Sequence, residues 1–284
     1  MVKNIVTLGL VQMSMAKSTD ANLDKAIRMI GEASKKGARI VCLPELFTSP
    51  YFPQEEKTES NYAEKIPGPT SEALAKAAKE NEVVLIGGSI FEKSGKKSYN
   101  TSMIFNEKGK MLGTYRKIHI PHDPNFYEQY YFAPGDLGYK VLNTRYGKIG
   151  LAICYDQWYP EAARTLALMG ADMIFYPTAI GWVKDVEQSE GNWQEAWENV
   201  QRGHAIANGI IVAATNRVGT EKEMIFWGGS FVCDAFGKTL ARGSTREEVV
   251  IAKCDLEHGN AVRKGWRFFE NRRPETYKRL VEKR

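Results

Sequence analysis

The sequence predicts an α/β fold, and three observations carry that reading. Short runs rich in Val, Ile and aromatic residues alternate along the chain with longer stretches of helical periodicity. No Ser/Gly-rich linker, low-complexity segment or short repeat divides them, so residues 1–284 are expected to form a single domain of sheets covered by helices. Hydrophobic residues make up 43% and charged residues 26% of the chain, a balance that supports a buried core and excludes disorder, collagen and coiled coil.

In chain order, residues 5–12 read as the first strand, because the apolar run stops at Gln12, too soon for a signal peptide or a bilayer span. A helix is expected over 22–36, with Asp20 near its start and Gly37 past its end. Strand 39–43 ends at Pro44, and helix 71–81 follows Thr70, a capping residue type. Strands 83–91, 98–106 and 111–120 come next, the last two joined by an Asn-Glu-Lys-Gly turn at 106–109. Strands 139–144 and 148–153 flank a turn at 145–147. Pro160 suits the first position of a helix over 160–169, which leads to strand 173–176. Helix 192–208 aligns Trp193, Trp197, Val200 and His204 on one face, so His204 reads as a core histidine. Strands 210–215, 229–233, 239–241 and 249–254 complete the pattern, with a turn at 234–237. Residues 120–138 and 177–191 lack periodicity, and loops of that length in a compact domain are often functional.

The net charge is only +5, and residues 255–284 hold nine Lys/Arg against five Asp/Glu, so most of the excess sits in one tail. Without a broader basic face, nucleic-acid binding is not expected. The tail, with Trp266, Arg267, Phe268, Phe269, Arg272 and Arg273, reads instead as a basic arm packing on a neighbouring subunit. Four cysteines without CxxC spacing form neither a disulfide scaffold nor a zinc pattern, so free thiols in a reducing cytoplasm are expected. GxGxxG, P-loop and HExxH patterns are absent, so no nucleotide or metal cofactor is indicated.

Three residues stand at strand exits, where α/β proteins tend to place their sites. Cys154 lies between the apolar strand 148–153 and the helix opened by Pro160. Oriented N–H groups and a helix start there would lower a thiol pKa and offer an oxyanion site, though a small buried hydrophobe is the competing reading. Cys42, Cys233 and Cys254 lie in strand-like runs and read as core. Glu45 follows Pro44 among apolar neighbours, so it is either salt-bridged or used. Lys117, at the end of strand 111–120, is either a solvated edge residue or a functional cation. His119 and His122 lie close to it, but no Cys–His signature surrounds Cys154.

Leu43-Pro44-Glu45-Leu46-Phe47, Tyr115-Arg116-Lys117-Ile118-His119 and Gly150-Leu151-Ala152-Ile153-Cys154-Tyr155-Asp156 resemble, in order, the three signature regions of the nitrilase superfamily of carbon-nitrogen hydrolases. The resemblance implies a four-layer α-β-β-α sandwich whose subunits associate through their helical layers into a homo-oligomer. It also implies a catalytic set of Glu45, Lys117 and Cys154, with Glu128 as an additional glutamate that helps position the others. Within the superfamily, His119-Ile120-Pro121-His122-Asp123-Pro124, Tyr176-Pro177-Thr178-Ala179-Ile180-Gly181-Trp182 and Phe226-Trp227-Gly228-Gly229-Ser230-Phe231 are similar to the branch that hydrolyses N-carbamoylputrescine.

That resemblance implies a small-molecule carbamoyl amine substrate, a thioester on Cys154 and no cofactor. Glu45 is expected as proton carrier, with Lys117 and the Tyr155 backbone N–H as oxyanion donors. A diamine substrate needs an anion at the far end of its site. Asp185 and Glu187, in the acidic loop after Trp182, are the expected anions, and Trp182 is the expected apolar wall. His122 and Tyr155, which stand where relatives often carry Asp and Trp, complete the substrate-binding candidates. A 3-ureidopropionase would instead need a cation for its substrate's carboxylate. A scaffold that keeps the fold without the chemistry has no need of the intact catalytic set.

Overall fold

A computed structural model describes residues 4–56 and 61–282. Two sheets lie face to face, and each carries a pair of helices on its outer side. In the first sheet, β1 (Ile5–Gln12) is flanked by β16 (Glu248–Asp255), antiparallel, and β2 (Ile40–Cys42), parallel. The sheet continues through β3 (Val84–Ile86), β5 (Lys97–Phe105) and β4 (Ile90–Ser94), and β6 (Met111–Arg116) also pairs with β5. The second sheet runs in the order β15 (Thr239–Arg242), β14 (Phe231–Cys233), β11 (Ile211–Thr215), β9 (Met173–Pro177), β8 (Gly147–Leu151), β7 (Val141–Thr144). Helices α1 (Thr19–Lys35) and α2 (Pro69–Glu80) cover the first sheet, and α3 (Pro160–Leu168) and α4 (Trp193–Asn208) cover the second. This is the expected α-β-β-α sandwich.

The period of two along each strand sorts the side chains into layers. Leu8, Leu10, Ile40, Cys42, Val84 and Ile86 meet Ile149, Leu151, Met173, Phe175, Ile211 and Ala213 between the sheets. The alternate residues Val41, Leu85 and Phe105 face α1 and α2, whereas Ile174, Val212 and Ala214 face α3 and α4. Both faces of the central strands are therefore buried, which is why their sequences read as continuous apolar runs.

The turns expected at 106–109, 145–147 and 234–237 join β5 to β6, β7 to β8 and β14 to β15. Helix α1 starts three residues earlier than expected, because Ser18 accepts the Ala21 N–H and acts as the cap in place of Asp20. Helix α2 likewise opens at Pro69, with Thr70 inside its first turn. The run 83–91 is two strands, broken where Gly88 turns into the left-handed region at φ +57°.

Four elements carry no sequence expectation. A three-stranded sheet of β10 (Gly181–Val183), β13 (Met224–Trp227) and β12 (Val218–Glu221) stands beside the sandwich. A fifth helix, α5 (Leu256–Trp266), opens the basic tail and docks on its own chain through Leu256, Gly259 and Val262. Its Arg263 pairs with Asp172. Residues 283 and 284 of the arm lie outside the described residues.

Candidate active site

Three chain segments leave the sheets at the same place. After β2 the chain passes Leu43 and Pro44 to Glu45; Gly88 lies so close that a Cβ there would sit 2.2 Å from the Pro44 carbonyl oxygen. Lys117 directly follows β6, and its N–H donates to the Asn100 carbonyl on β5 at 2.9 Å. Beyond β8, Cys154 opens the 3₁₀ turn Cys154–Trp158 with φ +43°, a conformation uncommon for a residue with a side chain. Glu128 comes from the first part of the long segment 120–138, in the short turn Glu128–Tyr130.

Glu45, Lys117 and Glu128 are fully buried and bonded to one another. The Lys117 ammonium donates to Glu45 Oε1 and to both Glu128 oxygens, each at 2.8 Å. Glu45 Oε1 also accepts from the Asn100 side chain at 2.8 Å, and Glu128 Oε1 accepts from the Tyr51 hydroxyl at 2.7 Å. Glu45 Oε2 is buried and accepts no hydrogen bond from the described residues. One cation thus serves two carboxylates, and one carboxylate oxygen is left to do something else.

Burial works against the Lys117 charge, but Glu128 and Glu45 outweigh it and hold the ammonium above its ordinary range. Burial raises the Glu128 carboxyl, which Lys117 pulls down and Glu45 pushes further up. The Cys154 thiol is pushed well above its usual value, first by burial and then by Glu45, with Lys117 opposing. This corrects the expectation of a lowered thiol pKa. The helix proper does not begin until Pro160, so its positive end lies beyond the thiol, and the nearest charges are mixed in sign.

Cys154 opens into a cleft of about 430 Å³. Its apolar walls are Phe126, Tyr155, Trp158, Ile180, Val183 and Trp193, and Asp123 and Glu190 supply its carboxylates. Among the lining residues there is no Lys or Arg. Of the substrate-binding candidates, Tyr155 is in this lining. The other substrate-binding candidates are not in the lining. On β10 the strand alternation sends Val183 into the cleft and Trp182 away, against Trp227 at 4.7 Å and behind Trp193 at 6.2 Å. Asp185 and Glu187 are exposed in the turn beyond, and the loop returns to the cleft only at Val186 and Glu190. His122 is exposed and packs on the Tyr127 and Tyr130 rings.

Sequence reasoning missed three supporting residues. Asn100 and Tyr51 are ordinary strand and loop residues in sequence, visible as partners only once β5 and the segment 43–54 are folded. Arg217, fully buried, donates to the carbonyls of Glu45 at 2.7 Å and Leu46 at 2.9 Å, and so holds the left-handed turn at Leu46, φ +47°. Its partner Glu221 also accepts the Tyr51 N–H. A polar Asn-Arg pair directly after an apolar strand was the available signal. His204 is a core histidine as expected; its ring bonds the Gln157 carbonyl at 2.8 Å, and burial lowers its pKa.

An α-β-β-α sandwich with a buried Glu, Lys and Cys at its strand exits defines a class of hydrolase, and the family comparison agrees: residues 7–264 match the carbon-nitrogen hydrolase model. The chain belongs to the carbon-nitrogen hydrolase family of the nitrilase superfamily. It is 41% identical to a tomato (Solanum lycopersicum) N-carbamoylputrescine amidase over 98% of this chain and 95% of that one. It is 35% identical to a Francisella tularensis citrullinase over 98% and 99%. A carbon-nitrogen hydrolase structure from Helicobacter pylori G27 superposes with a TM-score of 0.94 at 40% identity, covering 98% of this chain and 99% of that one. Among the described residues no helix is long and apolar enough to cross a membrane.

Proposed function

We propose that this enzyme hydrolyses the ureido C–N bond of N-carbamoylputrescine, releasing ammonia, carbon dioxide and putrescine through a thioester on Cys154. The observation that carries the reading is a buried Glu45–Lys117–Glu128 cluster beside a cysteine that opens into a cleft whose charged walls are carboxylates. The name borne by the tomato relative points the same way.

Because the Cys154 thiol is protonated at rest, attack on the carbonyl carbon has to be coupled to proton removal. Glu45 Oε2 takes that proton as the C–S bond forms. Lys117 stays cationic and, with the Tyr155 N–H, stabilises the oxygen that becomes negative. Glu45 then protonates the departing nitrogen, so that ammonia leaves and an N-alkylcarbamoyl thioester remains. The same carboxylate activates a water for hydrolysis, returns the proton to sulfur, and releases a carbamic acid that loses carbon dioxide to give the amine. Glu128 holds Lys117 in place.

Asp123 and Glu190 suit the substrate's ammonium end, with the apolar walls along its methylenes. A carboxylate substrate such as N-carbamoyl-β-alanine finds no Lys or Arg in the lining. Comparing kcat/KM for these two compounds tests the reading. A preference for N-carbamoylputrescine is expected, and a preference for N-carbamoyl-β-alanine overturns it. Glu190→Gln and Asp123→Asn should raise KM for the amine substrate far more than for uncharged carbamoyl compounds.

The same reading takes residues 1–284 as one domain that works as a homo-oligomer in a reducing cytoplasm. The exposed Leu168 and Met169 at the end of α3, Ile206 on α4, Trp266 on α5 and Leu280 of the basic arm support a subunit contact on that side. Sedimentation of the intact protein tests it, and a monomer at micromolar concentration would exclude it.

A further inference from the structure

We infer that His119 is a positioning residue that sets Lys117 against Cys154, acting through the carboxylate of Asp156. The inference rests on the catalytic roles just proposed for Lys117 and Cys154. Asp156 is fully buried and accepts four hydrogen bonds. Its Oδ2 takes the Tyr115 hydroxyl at 2.7 Å and the Ile153 N–H at 2.9 Å. Its Oδ1 takes the His119 N–H at 3.0 Å and the His119 ring Nδ1 at 2.7 Å. Ile153 and Asp156 bracket Cys154 in the chain, and Tyr115 and His119 bracket Lys117. A single carboxylate therefore ties the segment that carries the cation to the turn that carries the sulfur.

The Asp156 oxygens face a hydroxyl and two backbone N–H donors, and the ring joins them as a further donor in the tautomer with its hydrogen on Nδ1. The ring's plane is fixed by Tyr159, stacked at 3.7 Å and 8° from parallel. Of the three donating residues, His119 alone combines a replaceable side chain with partial exposure: its side chain is 25% exposed, whereas Tyr115 is buried and Ile153 donates from the backbone. His119 is not among the residues lining the cleft, so its contribution belongs to geometry and not to substrate contact. Releasing it lets the Lys117 segment drift relative to Cys154, and a displacement of about 1 Å at such a site costs up to about a hundredfold in rate.

The test uses three full-length variants. His119→Ala removes the donor. His119→Asn returns an N–H near the position of Nδ1. His119→Gln keeps bulk and polarity but carries its donor further out, near the position of Nε2. For the carbamoyl substrate, His119→Ala should lower kcat by about tenfold or more with KM changed by less than about twofold, the pattern of an interaction felt in the transition state. His119→Asn should recover most of that loss and His119→Gln should not, with circular dichroism and melting temperature alike across the soluble variants. Equal turnover in all three, a loss confined to KM, or equal rescue by Asn and Gln overturns the inference. Should His119→Ala fail to fold, the Asn–Gln pair decides alone. Failure of the underlying reading looks different: wild-type protein without carbamoyl hydrolase activity, or a folded Cys154→Ala variant that retains it.

Discussion

At Cys154 burial raises the thiol first, the Glu45 and Glu128 carboxylates add to it, and Lys117 and the Ala179 carbonyl oppose them. The resting site therefore holds a thiol, and iodoacetamide should alkylate Cys154 at a rate that climbs with pH between about 7 and 9, where a preformed thiolate would give a flat profile. Cys154 should still react before Cys42, Cys233 and Cys254, because it alone of the four opens into the cleft. Glu45→Gln separates the two roles of the carboxylate. It removes a negative neighbour while Lys117 stays, so alkylation at neutral pH should accelerate even as turnover falls by about 10²–10³, the scale for losing a general base. If turnover persists in Glu45→Gln, the proton transfers belong to another group. Lys117→Ala should lose a comparable factor of about 10² or more through the oxyanion. Glu45, Lys117 and Cys154 were legible because a charged or nucleophilic residue at the end of an apolar strand is conspicuous. Arg217 was not, because its value lies in two carbonyls more than 170 positions away in sequence. That Glu190 lines the cleft and Asp185 and Glu187 do not was hidden for a related reason: which acid of an aperiodic loop turns back to the cleft depends on where β10 ends, and that strand was invisible.

The elements that the sequence disclosed are those whose periodicity is sustained or whose ends carry specific chemistry. Pro160 at the first turn of α3 and Gly37 just past α1, at φ +90°, are of that kind. β10 has three residues, and β12 and β13 meet across a charged Glu-Lys-Glu tip, so none presents a pattern longer than its own turn. Helix α5 shows only Leu256, Gly259 and Val262 to the core, too narrow a stripe to separate from the basic tail. Where an element boundary serves the site, it is also fragile. Gly88 breaks β3 from β4 and lies against Pro44, one residue before Glu45. Gly88→Ala adds a Cβ at a left-handed position, costing roughly 1–2 kcal/mol by conformation alone. The contact with the Pro44 oxygen would then push the Glu45 segment outward. The variant should melt lower and lose kcat disproportionately, while Gly37→Ala, also at positive φ but with open space around it, should lose stability alone. Equal kcat in the two variants would show that the Pro44 contact does not set the position of Glu45.

Across the whole molecule the sandwich buries thiols on both sides of its second sheet. Cys42 and Cys254 lie between the sheets, and Cys233 lies beneath α3 and α4. Burial pushes each of these three up to about 12, against about 8.5 for an exposed thiol. Above pH 9 the unfolded chain gives up these protons and the folded chain keeps them. With a folded pKa raised above the unfolded one, the stabilisation is complete below the unfolded pKa and is lost as pH rises toward the folded one. Each thiol then removes about 1.4 kcal/mol per pH unit, and the three together about 4, from a total stability on the order of 5–15 kcal/mol. Tyr51, Tyr115 and Tyr176, also raised first by burial, add to the slope once pH passes the ordinary phenol range. The urea midpoint should therefore stay nearly level from pH 7 to 8, fall steeply above 9, and reach unfolding without denaturant within a few pH units. The double variant Cys233→Ala, Cys254→Ala should start lower at neutral pH, because two buried sulfurs leave small cavities. Its midpoint should then decline with well under the wild-type slope between pH 9 and 10, so that the two curves converge. Parallel curves would mean that these thiols titrate in the folded protein as they do in water, and would overturn the account based on burial.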